Sequence, residues 1–422
     1  MQRVGTIAFA GMIGTIIEWY DFLIYGTAAA LVFNKLFFPN FDPRIGTLAS
    51  LGSFAVGFFA RPIGGAIFGH FGDRVGRKSM LMLTMVFMGL STAAIGVLPT
   101  YSQIGIWAPV LLVMLRVVQG IALGGEWGGA SLMVLEHAPQ HRRGLFGSLV
   151  QVGFPIGLVS ASTAFSVVST LPDADFAAWG WRIPFIVSVV LVAVGLFVRA
   201  RLPETPVFEQ MKARGQIVRT PFFEMLIKSP RSFLIAVGLK LSEVSWVYML
   251  TVFAVVYATT KLGLAKPLML NAISLAALLE LLTIPLFGHL SDIFGRRSLY
   301  FAGVAFTIIF AFPLFWLLDM RTPGIVIMTV IIALNLGHGL MFAPESTYFP
   351  ELFGPNVRYS GASFGFQVSA AIGGGFAPII ATVLAAYMGG TAGVSIMLML
   401  LALITLIATL FARETKDDVL LK

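Results

Sequence analysis

The sequence predicts an all-α membrane protein of twelve transmembrane helices in two six-helix halves, and three observations lead there. Of 422 residues, 58% are hydrophobic and 11% charged, with a mean hydropathy of +0.90, whereas soluble domains carry about 25% charged residues. The apolar residues fall in segments of about 20 or more, each able to cross a hydrocarbon core of about 30 Å as a helix. The alternating short segments of a β-barrel do not occur. The third observation is a repeat. Gly69–Lys78 reads GHFGDRVGRK and Gly288–Arg297 reads GHLSDIFGRR, so Gly69, Asp73, Gly76 and Arg77 return 219 positions later as Gly288, Asp292, Gly295 and Arg296. A charged, glycine-rich turn at the same place in two hydrophobic stretches marks an internal duplication of the kind many transporters show.

In chain order, the first helix is expected over Gly5–Phe33 and an external loop over Pro39–Pro43. The second helix covers Gly46–Phe71 and ends in the first turn motif. Helices three and four cover Ser79–Leu98 and Ile104–Glu136. The basic turn His141, Arg142, Arg143 opens the fifth, which runs to Val168, and the sixth covers Trp181–Ala200. The one long polar stretch, Arg201–Arg231, reads as a linker: a solvated tether or short amphipathic helices lying on the inner leaflet. Helices seven to twelve then take Ser232–Thr259, Pro267–Leu290, Ser298–Leu317, Gly324–Glu351, Tyr359–Tyr387 and Ala392–Phe411. The expected domains are a bundle over 1–200, the linker 201–231, a second bundle over 232–412 and a tail 413–422.

Two further echoes join the turn motif. Glu136 and Arg143 close the fourth helix as Glu351 and Arg358 close the tenth, at an offset of 215; Pro203-Glu204-Thr205 and Arg413-Glu414-Thr415 follow the sixth and twelfth, at 210. Orientation follows from the basic residues, which concentrate in cytoplasmic loops. Of 28 Lys and Arg, 19 (Arg3, Arg199 and Lys422 among them) fall on the side of the turn motifs and 6 on the other, with Arg61, Arg116 and Lys240 inside spans. Both termini, the linker and both turns are therefore expected in the cytoplasm. The net charge of +8 is explained by topology, and no nucleic-acid partner is expected.

Several classes are excluded. There is no cysteine, so no disulfide framework or thiolate metal site. No H-E-x-x-H zincin motif and no phosphate-binding loop occurs, and the glycine-rich turns lack the strand-to-helix setting of a dinucleotide fold. The chain is expected to be no enzyme and to need no cofactor or metal. The first apolar segment carries Glu18 and Asp21 and no cleavage site, so it reads as a retained helix.

The duplicated Gly-x-x-x-Asp-x-x-Gly-Arg turn, with Arg116-x-x-Gln119-Gly120 in the fourth helix, resembles the major facilitator superfamily across essentially the whole chain. The runs Glu18-Trp19-Tyr20-Asp21-Phe22, Gly124-Gly125-Glu126-Trp127-Gly128-Gly129-Ala130 and Trp179 to Phe185 are similar to its metabolite:proton symporter family. Asn335 with His338, Tyr359 to Ala362 and Gly373 to Gly375 resemble the shikimate branch, from which Glu280, Gly339 and Glu345 depart. The resemblance implies the major facilitator fold with inverted repeats, a bacterial-type inner-membrane location and a protein able to work as a monomer. It also implies a coupling role for the acid of the first helix and the arginine of the fourth.

Ionisable groups inside spans are costly, about 2.5–3.5 kcal/mol each on insertion scales, and so are functional candidates. They are Glu18, Asp21, Arg61, Arg116, Glu126, Lys240, Glu243, Glu280, His338 and Glu345. Asp21 and Arg116 are expected to form a switchable pair: an anionic solute that competes for the guanidinium leaves Asp21 to take a proton. A static ion pair fixing helix packing is the plainer reading. Glu18 is a rival proton carrier or a partner of Arg61. Glu126 lies in a glycine run, as a substrate contact or as a buried acceptor holding the fourth helix to the second. Lys240 and Glu243 either satisfy each other or present the ammonium to a carboxylate. Asn335 and His338 share a face of the tenth helix; Tyr20, Gln119, Gln151, Trp246, Tyr248 and Gln367 are further candidate liners. Gly153, Pro155, Gly157 and Gly373–Gly375 permit bends or close packing.

A cytoplasmic gate is expected from the echoes, with Asp73 facing the start of the eleventh helix, Arg77 meeting Glu136, Asp292 facing the fifth helix and Arg296 meeting Glu351, and with Gly69, Gly76, Arg143 and Arg358 around them. The functional expectation is a secondary transporter importing a small organic acid with a proton. The alternatives are a zwitterionic osmolyte symporter, against which the short stretch after Phe411 weighs, and a non-transporting receptor.

Overall fold

In lipid a segment must satisfy its own backbone hydrogen bonds, which forces apolar stretches into helices. The computed structural model describes residues 2–40 and 43–420, and among them twelve helices are long and apolar enough to span a membrane. They are α1 (Val4–Leu36), α2 (Gly52–Arg74), α3 (Arg77–Val97), α4 (Trp107–His137), α5 (Gln140–Val168), α6 (Gly180–Ala200), α7 (Pro230–Thr260), α8 (Lys266–Phe294), α9 (Arg296–Asp319), α10 (Pro323–Glu351), α11 (Arg358–Tyr387) and α12 (Ala392–Phe411). Phe41 and Asp42 of the expected external loop, and Lys422 of the basic side, lie outside the described residues.

The three sequence echoes converge on one device, built twice. Gly76 (φ +133°) and Gly295 (φ +99°) adopt a backbone that side chains rarely tolerate, and α3 and α9 start directly after them. Each new helix exposes unpaired N–H groups. The Glu204 carboxylate accepts from the N–H of Arg77 (3.2 Å) and Lys78 (3.2 Å). Glu414 does the same for Arg296 (2.9 Å) and Arg297 (3.0 Å). The third echo supplies the acids opposite the arginines, with Arg77 3.7 Å from Glu136 and Arg296 3.5 Å from Glu351.

Small residues set the closest helix contacts. A Cβ on Gly64 would lie 1.8 Å from the Ile121 carbonyl oxygen, and one on Gly124 2.1 Å from that of Arg61, so α2 and α4 touch backbone to backbone. Gly153 and Gly157 play the same part for α5 against Thr15 and Trp19 of α1. π-Helical turns interrupt α1 at Ala29–Phe33, α7 at Met249–Phe253, α10 at Ala333–Gly339 and α11 at Ala371–Phe376. Such turns widen the helix locally and concentrate at functional sites.

One alternative is decided and one expectation corrected. Of the two forms expected of the linker, short helices are the one present: Pro206–Ala213 and Pro221–Lys228, which bury Val207, Phe208, Met211 and Met225. Phe208 lies under the Arg77 guanidinium (5.0 Å), and Phe222 packs edge-on against Phe364 of α11. Arg199 is not a surface cation of the basic side. It is buried within α6 and forms a two-point ion pair with Glu126 of α4, which also accepts from Thr84 of α3 (2.9 Å). Glu126 therefore ties α4 to α3 and α6, not to α2; the sidedness count needs one correction for Arg199.

Candidate functional site

The face carrying the two turn motifs is closed. Asp73 accepts from the backbone N–H groups of Tyr359 (3.1 Å) and Ser360 (2.8 Å) at the first turn of α11 and from the Ser360 hydroxyl (2.9 Å), while Arg77 lies 3.3 Å away. Asp292 accepts from the N–H groups of Gly144 (2.8 Å) and Leu145 (2.9 Å) in α5 and from Arg296 (2.7 Å). Each carboxylate thus sits where a helix start offers free N–H groups and positive potential. Gly69 lets α2 reach α11, since a Cβ there would lie 2.7 Å from Ser360 Cα. Arg358 reaches Glu136 (3.5 Å), and Arg143 donates to the Asp418 carbonyl (2.7 Å). Asp418 belongs to a tail that folds back under this face: Thr415 donates to Glu351 (2.6 Å), the Leu420 carbonyl accepts from Arg358 (3.0 Å) and the Leu420 side chain is buried.

Between the halves lies a small cavity, with Arg61, Lys240, Glu243, Tyr248 and His338 among its walls and Trp19, Phe154, Phe342 and Phe366 as its aromatic lining. This mixture of apolar surface with a few convergent polar groups suits a small solute.

On the N-terminal side, Asp21 is fully buried and accepts from Ser188 of α6 (2.6 Å) and Thr92 of α3 (2.8 Å). The expected direct pair with Arg116 is replaced by a relay. Arg116 donates to Gln119 Oε1 (2.6 Å), Gln119 Nε2 donates to Thr92 Oγ1 (2.8 Å), and Thr92 donates to Asp21. The guanidinium is held among rings, 4.2 Å from the Tyr25 centroid and 4.6 Å from that of Phe22. Arg61 approaches Phe22 at 4.2 Å. Nε and Nη2 of both arginines are buried without a hydrogen-bond partner in the chain, and so is Oε2 of Glu18. No ion pair joins Glu18 to Arg61 among the described residues.

On the C-terminal side, one chain of contacts runs through four helices. Tyr300 of α9 donates to Glu345 (3.3 Å), Glu345 pairs with Lys240 (2.7 Å), and Lys240 pairs with Glu243. His338 bridges Glu243 through Nε2 (3.0 Å) and Glu280 of α8 through Nδ1 (2.7 Å). Lys240 and Glu243 do satisfy each other, and neither does so alone.

Other candidates are occupied elsewhere. Asn335 bonds to Ala276 and Thr283 of α8 and is not joined to His338. Trp246 donates to the Ala333 carbonyl (2.8 Å), capping an acceptor at the π-turn of α10. Tyr20 donates to the Pro184 carbonyl (2.9 Å), and Gln151 ties Trp127 to the Phe342 carbonyl. Gln367 makes only long contacts to Leu123 and Gly124, at 3.4 Å, and leaves its Oε1 unpartnered. Thr92, Ser188 and Arg199 were missed in the sequence. Hydroxyls in apolar helices carry no signal of their own, and Arg199 sat too near a helix end to be told from an interfacial anchor.

Comparison with known proteins agrees with this architecture. A family model described as Major Facilitator Superfamily matches residues 7–378. The shikimate transporter of Escherichia coli (strain K12) is 43% identical over 99% of this chain and 96% of its own length. The proline/betaine transporter of the same strain is 33% identical over 97% of this chain and 83% of its own. Among solved structures, the proton:xylose symporter bound to 6-bromo-6-deoxy-D-glucose superposes with a TM-score of 0.78 at 18% identity, over 99% of this chain and 98% of that one.

Proposed function

Because the chain belongs to the Major Facilitator Superfamily, we propose that it imports a small organic acid together with a proton by alternating access. The observation that carries the reading is the pair of buried guanidiniums, Arg61 on the cavity wall and Arg116 behind Phe22, each with two nitrogens, Nε and Nη2, unpartnered in the chain. A buried donor without an acceptor costs about 1–3 kcal/mol, more when charged, and a carboxylate on these groups removes that cost with charge-assisted bonds. The similarity to a shikimate transporter supports a hydroxylated carboxylate as solute.

Coupling in this reading passes through Asp21. When Arg116 turns toward the solute, it releases Gln119; Gln119 reorients, Thr92 follows, and Asp21 loses an acceptor bond in a dry site, which favours its protonation. Solute and proton then stabilise each other's binding. Glu18 serves as a second acid beside Arg61. The turn motifs act as a latch on the cytoplasmic side, and Asp73 and Asp292 hold that side shut while the outer side loads. The two bundles, 1–200 and 232–412, rock about the cavity as units, joined by the linker 201–231 and steadied by the tail 413–422. The setting is a bacterial-type inner membrane with both termini inside, and a monomer suffices.

A second reading has one observation in its favour: Arg61 and Lys240 share the cavity with Glu243, which suits a zwitterion, as the similarity to a proline/betaine transporter also suggests. Proteoliposome uptake under an imposed pH gradient separates the two, with shikimate, 2-oxoglutarate, citrate, aromatic acids and betaine as probes. An organic acid should accumulate and collapse with uncoupler, and Asp21→Asn should abolish accumulation. Betaine accumulating while every acid fails would overturn the organic-acid reading; intact accumulation by Asp21→Asn would overturn the coupling role.

A further inference from the structure

The two halves differ in how their buried charges balance. In the N-terminal half Glu126 has Arg199, and Arg61 and Arg116 stand against Glu18 and Asp21. In the C-terminal chain three carboxyls, Glu243, Glu280 and Glu345, share Lys240 as their permanent cation, and none of these groups is more than 3% exposed. Fully ionised acids would leave two negative charges uncompensated in a dry interior, at several kcal/mol each. The chain must therefore keep protons.

The geometry says where. His338 faces a carboxylate oxygen with each ring nitrogen, Glu243 Oε1 at 3.0 Å and Glu280 Oε1 at 2.7 Å. A neutral imidazole has one donor and one acceptor; only the imidazolium donates at both nitrogens, and otherwise one of the two acids carries the hydrogen. In either form one proton is shared along Glu243–His338–Glu280. Oε2 of Glu243 and of Glu280 are also buried without a hydrogen-bond partner, although Lys240 lies beside the former as an ion pair. Oε2 of Glu280 is left as an open acceptor for a second proton. The surroundings add little charge. Helix α7 presents Lys240, Glu243 and Tyr248, α9 presents Tyr300, α10 adds Glu345, and α5 offers only the Phe154 ring, 5.3 Å from that of His338. Across the cavity stands Arg61 of α2, and α1 carries the buried Glu18, whose Oε2 has no hydrogen-bond partner.

We propose that Glu243, His338 and Glu280 form a second proton-binding site, in the C-terminal half, whose cavity end is Glu243 beside Lys240 and whose buried end is Glu280. A proton from water in the cavity forms an N–H or O–H bond within this chain, and the same bond breaks when the proton returns to water on the other side; no other reactant is consumed. In a form that rests on the carboxylate-import reading, a solute carboxylate that draws Lys240 from Glu243 leaves an acid that the shared proton then neutralises.

The test reads protons without a solute. Protein reconstituted in lipid is taken through a pH series and followed by infrared difference spectroscopy, with proton uptake counted by an indicator dye. In the wild type, protonated-carboxyl and imidazolium signals should titrate. Glu280→Gln and His338→Asn should each lose part of both the signal and the proton count, while Asp21→Asn retains that part. The ¹⁵N resonances of His338 in the unaltered protein, assigned by their loss in His338→Asn, give the same information should Glu280→Gln fail to fold. Unchanged proton counts in both variants, or a His338 ring that stays neutral beside two acids with no carboxyl signal, would overturn the site. Shikimate accumulation by Asp21→Asn, measured separately, bears on the N-terminal coupling role and leaves this one standing.

Discussion

Replacing Asp73 with asparagine should open the face that the turn motifs close. The carboxylate collects the N–H groups of Tyr359 and Ser360 and the Ser360 hydroxyl, all within 3.1 Å. An amide keeps one oxygen, so one backbone N–H must lose its acceptor and meet an NH₂ group, whichever way the amide is turned. A hydrogen bond to a charged group is worth about 1.5–3 kcal/mol net. Taking about 2 kcal/mol as the loss from the closed state alone, the open population rises about 30-fold. The chain has no cysteine, so a single reporter suffices. Ser363→Cys is conservative in size, and Ser363 of α11 is fully buried against α2 and α4, where Gly65 and Gly128 approach it. Its reaction with a hydrophilic maleimide, in protein held in lipid nanodiscs, should accelerate by about that factor in the Asp73→Asn background. Asp292→Asn should act in the same direction, since Gly144 and Leu145 lose an acceptor there. Labelling at the parental rate in both backgrounds would refute the latch.

Other outcomes follow from single contacts. Arg199→Met strands the Glu126 carboxylate with Thr84 as its remaining partner and should cost about 3–5 kcal/mol; adding Glu126→Gln should recover most of it, as a double-mutant cycle in thermal melts would show. Glu204→Ala and Glu414→Ala each remove the acceptor for two helix-start N–H groups. Each should destabilise by about 1 kcal/mol, with the two losses additive because the sites lie in different halves. Gly64→Ala, whose Cβ would meet the Ile121 carbonyl at 1.8 Å, should destabilise far more than Gly215→Ala, where nothing stands within 4 Å, although that glycine's positive φ still adds strain.

The legibility of this chain varied with the physics behind each feature. Spans are readable because lipid imposes a length and a composition on every helix, and the twelve expected segments correspond to twelve helices among the described residues. The gate partners were readable in part because duplication repeats them: Asp73, Arg77, Glu136 and their second copies announce one another. Glu204 and Glu414 were visible as an echo, and only the coordinates give them a task, since capping depends on where a distant helix begins. Asn335 and Trp246 carried the right chemistry on the right helices, yet each is turned to a neighbouring carbonyl. Rotation of a helix about its own axis, altered further by the π-turn at Ala333–Gly339, is set by its neighbours.

From the sequence alone came the membrane class, the count of spans, the duplicated turns and a short roster of buried ionisable groups, because each is a local or repeated property. Who partners whom was decided by the tertiary structure. Asp21 reaches Arg116 through Thr92 and Gln119, Glu126 takes Arg199, and three acids crowd one lysine and one histidine. The reason is the steep cost of charge in a dry interior. A buried ion takes whatever partner packing brings within about 3 Å, and that distance is fixed by helices far apart in the chain.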